Sequence, residues 1–451
     1  MVVEPIATIA IAGLATCLFV WALIPIARRI GLVDRPGGRK SHNGEVPTIG
    51  GVAIVTAVIA TALVMGISDQ APPAFWAGLL VIVLVGTLDD LRGLGHRSKF
   101  LAQVVAAALM IFWAGWSLHS LGNLLGNWPL GLGRLAIPLT FIAVIGVVNA
   151  INITDGADGL AGGLVFNALL WLAIMAVAGA NGSAEQVQIA LAFLGAVAGF
   201  LAFNLRLPGR KQALIFLGDA GSLGLGYVLA WFMVWGAERP EALFAPVTAI
   251  WLVAVPLMET LTCAGRRILN GQSPFKADRK HLHHILVDLG LSPRAAVTAI
   301  HGSAFVLGAI GVGGWYFEVP QHVMFYTGMA IFTIYVLSTA EALRVIEARQ
   351  VAAPEVESEL GQEQVLLPPG NRSYQALLRS VQQSNVYVDS KIVGLGNRST
   401  LSNGLPALKT MTGYQTALSK RGRAIKHLTN PVIADMKVRA SVRHRQRRGR
   451  A

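Results

Sequence analysis

Five short segments hold most of the residues able to do chemistry in this chain. The first is Thr87-Leu88-Asp89-Asp90-Leu91-Arg92, followed by a basic stretch that ends on Lys99. Adjacent carboxylates at the edge of an apolar run repel each other unless a cation or a proton neutralises them; a solvated helix end is the plain alternative. The second runs from Asn149 through Asn152, Asp155 and Asp158 to Leu160. In a helix, Asn149 and Asn152 share a face, as do Asp155 and Asp158, and amide and carboxylate oxygens are hard donors suited to Mg²⁺ or Mn²⁺. A polar turn-rich loop is the alternative, and the spacing is wrong for an EF-hand. The third, Phe216-Leu217-Gly218-Asp219-Ala220-Gly221-Ser222, opens an apolar stretch. There an Asp can hold a metal while backbone N–H groups face a phosphate, or simply cap a helix. The GxGD pattern of an intramembrane protease fails because Phe216 stands where a Gly is required.

The fourth segment, Ser273 to Leu286, gathers His281, His283 and His284 with Lys276, Arg279 and Lys280. It suits phosphate recognition by cationic donors. A zinc reading lacks both a neighbouring cysteine in the sequence and the HExxH spacing. The fifth, Lys40 to Gly51, joins a basic stretch to a glycine pair and is weak by itself.

The elements that must position these segments are apolar. Of 451 residues only 14% are charged and 54% are hydrophobic, yet the net charge is +13. Soluble domains carry about a quarter charged residues, so an integral membrane protein is expected. Residues 352–451 hold sixteen Lys and Arg against six Asp and Glu, a net of +10, which leaves +3 for residues 1–351. The chain therefore divides into a hydrophobic body, residues 1–345, and a polar basic tail, residues 346–451. A pI near 10 here does not signal nucleic-acid binding, because the excess lies outside the body and no nucleic-acid fold signature accompanies it. Two cysteines, Cys17 and Cys263, exclude a disulfide framework and read as buried thiols.

Apolar stretches at 5–26, 48–66, 74–88, 100–118, 134–151, 160–179, 187–205, 214–235, 243–263, 297–315 and 322–342 predict an all-α polytopic protein with about eleven transmembrane helices. The first has no basic residue ahead of it and positive charges behind it, unlike a cleaved signal peptide. Lys and Arg alternate between the connections: Arg28, Arg29, Arg35, Arg39 and Lys40 after the first span, none near 68–70, then Arg92, Arg97 and Lys99, none in 119–133, and Arg206, Arg210 and Lys211 near 206–211. The positive-inside rule then predicts an outward N-terminus and a cytoplasmic C-terminus. All five polar groups fall on the cytoplasmic side. That favours an enzyme joining a soluble substrate to a membrane-held one over a transporter, whose polar groups belong near the bilayer midplane.

Taken together, in this order and on one face, the segments resemble the polyprenyl-phosphate N-acetylhexosamine-1-phosphate transferase family. The matching residues are the K-x-H…P-x-x-G-G run from Lys40 to Gly51, the pair Asp89 and Asp90, the N-x-x-N-x-x-D-G-x-D-G-L run from Asn149, the F-x-G-D-x-G-S run from Phe216, and the H-x-H-H of His281, His283 and His284. By motif the resemblance covers about residues 30–290, and by span count about 342; the tail lies outside it.

The resemblance implies transfer of N-acetylglucosamine 1-phosphate from UDP-GlcNAc to a polyprenyl (undecaprenyl) phosphate with release of UMP, initiating a lipid-linked envelope polysaccharide at the bacterial inner membrane. The alternatives are another UDP-sugar, including UDP-MurNAc-pentapeptide, and a non-enzymatic lipid or sugar transporter. The muramoyl branch has a consecutive histidine triplet that this chain lacks. The resemblance further implies Asn152 and Asp219 as ligands of Mg²⁺ (or Mn²⁺), and Lys40, Lys99, Arg279 and His283 as phosphate clamps. Phe216 would stack on uracil, Asp158 would accept from the base, and Asp89 or Asp90 would deprotonate or position the lipid phosphate. Asp155 is counted with the catalytic carboxylates, and Asn149, His281 and His284 with substrate binding. The expected partners are the UDP-sugar, the membrane polyprenyl phosphate and a second copy of the chain. Nucleic acid is not among them.

The tail begins acidic (Glu355, Glu357, Glu359, Glu363) and ends in Arg443-His444-Arg445-Gln446-Arg447-Arg448-Gly449-Arg450. Its composition predicts irregular structure. Its charge predicts either contact with anionic inner-leaflet lipids, at about 1 kcal/mol per basic residue, or a solvated segment that reinforces orientation.

Overall fold

In a computed structural model of the chain, the residues described are 3–35, 44–178, 187–207, 209–210, 212–238, 242–273 and 280–362, with side chains as far as 349. Lys40, Arg279 and the tail beyond 362 lie outside them. Within the described residues the architecture is helical, apart from a two-stranded antiparallel ribbon. In chain order the elements are α1 (Val3–Ile30), β1 (Val33–Asp34), β2 (Val46–Pro47), α2 (Gly50–Met65), α3 (Pro73–Arg92), α4 (His96–Ala108), α5 (Ala136–Thr154), α6 (Leu160–Ala178), α7 (Gln188–Asn204), α8 (Gly218–Glu238), α9 (Pro246–Leu252), α10 (Ala254–Leu269), α11 (Leu282–Asp288), α12 (Pro293–Tyr316) and α13 (Gln321–Gln362). Residues 1–344 form one compact unit; of the second, 345–451, the described part is the end of α13.

Among the described residues, seven helices are long and apolar enough to cross a membrane: α1, α3, α5, α6, α8, α12 and α13 as far as Arg349. The pair α9 and α10, bent by 80° at Val253, makes an eighth if it is one span. Each of the expected eleven stretches contains helix, but α2 and α7 are shorter apolar helices, and α4 is carried on by a π-helical turn, Leu109–Trp113. By length and apolarity alone, seven or eight of the described helices are membrane-capable.

The packing fits a lipid solvent. Trp21, Leu63, Val64, Ile142, Ile334 and Leu337 stand exposed on helix surfaces, a pattern a water-soluble monomer avoids. Helix α8 is the axis: 89% of its apolar window is buried, against 11% for α13. It packs on α2, α3 and α5.

Small residues let these helices approach closely, as expected where van der Waals packing must drive association. A Cβ on Gly51 of α2 would lie 2.1 Å from the backbone nitrogen of Gly221 on α8, and one on Gly86 of α3 would lie 2.5 Å from Cα of Ala220. The entrance to α8 is thereby held between the start of α2 and the end of α3, where three of the polar segments lie.

Candidate active site

The chain ahead of α8 is tied to the chain ahead of α2 by backbone hydrogen bonds. Phe216 N donates to the Pro47 carbonyl (2.8 Å), and the carbonyls of Phe216 and Leu217 accept from Gly50 N (3.0 Å) and Gly51 N (2.9 Å). The weak fifth segment is therefore the backbone partner of the third. Gly218 then turns the chain into α8 with φ of 72°, a left-handed conformation that glycine adopts without penalty. A Cβ here would also meet Asp90 Oδ2 at 2.5 Å.

This turn separates the Asp-Asp pair. Asp90 accepts from the backbone N–H of Asp219 (2.9 Å) and of Ala220 (3.2 Å). It thus supplies the carboxylate that a helix N-terminus favours. Asp89 instead faces Lys99, whose Nζ donates to Asp89 Oδ2 (3.2 Å) and to Asp219 Oδ2 (2.9 Å). Asn152 Nδ2 reaches the same cluster, donating to Asp219 Oδ1 and to Ser222 Oγ, both at 2.8 Å. Three of the expected residues, Asp89, Lys99 and Asn152 from the ends of α3, α4 and α5, thereby converge on Asp219 at the start of α8.

The second segment is not one helix. Helix α5 ends at Thr154, and Asp155 to Gly159 form the connection to α6, with Gly159 at φ of 81°. The glycines end the helix, so Asp155 and Asp158 do not share a helical face, and they separate. Asp158 Oδ2 accepts from Arg206 Nε (2.7 Å) and from Ala213 N (3.0 Å). Asp155 stays beside the cluster. Burial, and then the charges of Asp219, Asp90 and Asp158, push its carboxyl up to about 8. Asn149 turns away from Asn152's partners: its Nδ2 donates to Gln103 Oε1 on α4 (2.6 Å).

The histidine segment is divided too. A Cβ on Gly156 would meet His283 Cε1 at 2.6 Å, so the buried His283 ring lies against the residue beside Asp155. His284 packs on it at 4.1 Å between ring centroids. His281 Nδ1 points to Glu259 Oε1 on α10, at 2.8 Å.

Sequence reasoning missed Gln103, Asn204, Arg206 and Glu259. Buried Asn204 accepts from Gly159 N and donates to the Ile215 carbonyl, both at 2.8 Å, stitching the α5–α6 connection to the approach of α8. Its signal was a polar residue closing an apolar helix just before a basic loop. Glu259 and Gln103 had a comparable signal, as lone polar residues in apolar stretches.

The donor set suits a hard divalent cation. Asp219, Asp89 and Asn152 offer carboxylate and amide oxygens, and the buried Asp89 Oδ1 has no hydrogen-bond partner. Among the described residues one other group has metal-ligand composition, Glu259 with Cys263 and His281.

Carboxylates and a lysine are thus gathered at the ends of four helices. Comparison with known proteins gives the class. Residues 73–237 match the profile described as glycosyl transferase family 4. The chain is 33% identical over 326 residues to the undecaprenyl-phosphate alpha-N-acetylglucosaminyl 1-phosphate transferase of Escherichia coli (strain K12), covering 71% of this chain and 87% of that protein. It is 34% identical over 336 residues to the enzyme of the same description from Yersinia pestis, covering 72% and 89%. With the probable undecaprenyl-phosphate N-acetylglucosaminyl 1-phosphate transferase of Bacillus subtilis (strain 168) it shares 36% over 311 residues, covering 68% and 85%. The chain belongs to glycosyl transferase family 4, within its polyprenyl-phosphate N-acetylhexosamine-1-phosphate transferases.

Proposed function

We propose that the protein transfers N-acetylglucosamine 1-phosphate from UDP-GlcNAc to undecaprenyl phosphate in the bacterial inner membrane. In this reaction an oxygen of the lipid phosphate attacks the sugar-bearing phosphorus, and the bond to UMP breaks. The observation that carries the reading is the convergence of Asp89, Lys99 and Asn152 on Asp219, in a chain whose relatives bear that activity in their names. The topology that goes with it has eleven crossings, an outward N-terminus and a cytoplasmic site, as the Lys and Arg pattern predicts.

Asp219, Asn152 and Asp89 would hold the Mg²⁺ or Mn²⁺. Such an ion would supply charge neutralisation for the diphosphate oxygens. Lys99, with Lys40 and Arg279, binds phosphate oxygens; His283, beside Asp155, donates to the same groups. Phe216 presents its ring to the uracil. Asp90 orients α8, so that Asp219 meets the substrate at a fixed angle, whereas Asp89 borders the lipid phosphate. Asp158, engaged by Arg206, fixes the connection between α5 and α6. The lipid phosphate needs little help from a base, since its second ionisation lies near 6 and it is mostly dianionic at neutral pH.

Asp219→Asn is expected to abolish transfer of radiolabelled sugar 1-phosphate from UDP-GlcNAc into a lipid extract, while the variant still reaches the membrane. Full activity in that variant would remove Asp219 from the metal site. A panel with UDP-GalNAc and UDP-MurNAc-pentapeptide tests the choice of sugar.

A further inference from the structure

Away from the Asp219 cluster, one buried carboxylate gathers donors from three separate stretches of chain. Glu259, 5% exposed on α10, meets His281 Nδ1 (2.8 Å) and accepts from Leu282 N (3.1 Å), both in the turn that opens α11. Cys263 Sγ, one turn along α10, donates to it at 3.4 Å. Tyr335 Oη on α13 donates to its second oxygen. Arg266 adds a hydrogen bond to the Lys280 carbonyl (3.0 Å), holding the same turn. The reach of this arrangement is through the rings: His281 stacks on His283 with an interplanar angle of 9° and 6.1 Å between centroids, and His283 lies against Gly156, next to Asp155.

The geometry points to Glu259 as a positioning residue for the proposed transfer: it locks the ring of His281 and, through it, sets where His283 stands at the site. An imidazole that donates Nδ1–H to a carboxylate has its tautomer and orientation fixed, and a buried carboxylate with several donors holds a single geometry. Tyr335 extends the lock to α13. Glu259, Cys263 and His281 also have the composition of a metal site; in the hydrogen-bonded arrangement both Glu259 oxygens are engaged, one by His281, Leu282 N and Cys263 and the other by Tyr335.

The inference rests on the proposed reaction, and a double-mutant cycle separates the two. Wild-type protein, Glu259→Gln, His281→Ala and the double variant are compared for transfer from UDP-GlcNAc to undecaprenyl phosphate. Glu259→Gln is expected to lower kcat at least tenfold with KM for UDP-GlcNAc changed less than threefold, and the double variant to be no slower than His281→Ala alone. Losses that multiply, or a kcat unchanged in Glu259→Gln, overturn the inference while leaving the reaction in place. A second readout needs no turnover. The far-downfield proton resonance of a carboxylate-bonded imidazole N–H is expected in labelled wild-type protein and absent in both single variants; its absence from the wild type overturns the inference. Zinc retained by the purified protein and lost in Cys263→Ser overturns it as well, by making the cluster a metal site.

Discussion

At the scale of single residues, neighbours in sequence hold different tasks because the backbone aims them apart. Asp89 and Asp90 are adjacent, yet one faces Lys99 and the other caps α8. Asn149 and Asn152 share a helix, yet one bonds to α4 and the other to α8. Asp155 offers a test through its protonation. An ordinary aspartate ionises near 3.9, whereas Asp155 holds its proton to about 8. Between those values the folded state binds more protons at this residue than the unfolded state does, so its contribution to stability falls as pH rises. In the presence of a chelator, Tm in detergent is expected to decline across about pH 4 to 8 on this account, and Asp155→Asn to flatten that part of the slope. An unchanged slope in the variant would place the titration elsewhere.

At the scale of elements, the site is set by how closely α8 approaches α2 and α3. The Cβ of an alanine at Gly51 would press on backbone atoms of Gly221, and backbone yields little. Gly51→Ala is expected to cost about 1–3 kcal/mol or more, in line with overpacked cores, read as a lowered Tm, and to cost activity as well. Gly146 on α5 has nothing within 4 Å of its would-be Cβ, and alanine is favoured over glycine inside a helix by about 1 kcal/mol. Gly146→Ala is therefore expected to hold or raise Tm. Equal losses at the two glycines would mean that helix propensity, not close approach, governs the bundle. The composition of these helices was legible in the sequence, because apolarity is additive along a chain. Their pairing was not, because glycine carries no pattern that names its partner. The break after Thr154 was half legible: the glycines were visible, but a helix and a turn of the same polar residues read alike.

At the scale of the whole molecule, the chain carries its surplus charge apart from its chemistry. The net +10 of residues 352–451 lies beyond the matched profile, which ends at 237. Deleting residues from 352 onward is expected to leave kcat within about twofold in detergent, where membrane attraction contributes nothing, and to weaken any dependence of activity on anionic lipid. Loss of catalysis in a stably inserted truncation would give the tail a part in the reaction itself.

The sequence by itself determined that this is a helical membrane protein with oxygen-donor carboxylates and cationic groups able to grip phosphates, and it named the family those residues resemble. Each of those conclusions follows from residue type and short spacing, which survive folding unchanged. Only the tertiary structure decided which carboxylate faces which cation. Asp89, Lys99, Asn152 and Asp219 come from four helices, and no local rule joins them. It also brought Cys263, eighteen residues from His281, to 3.5 Å from it, and gave Glu259 its four donors. The physical reason is the same throughout. Chemistry belongs to side chains, but direction belongs to backbone turns such as Gly218 and to close contacts such as Gly51 against Gly221, and these exist only once the helices have packed.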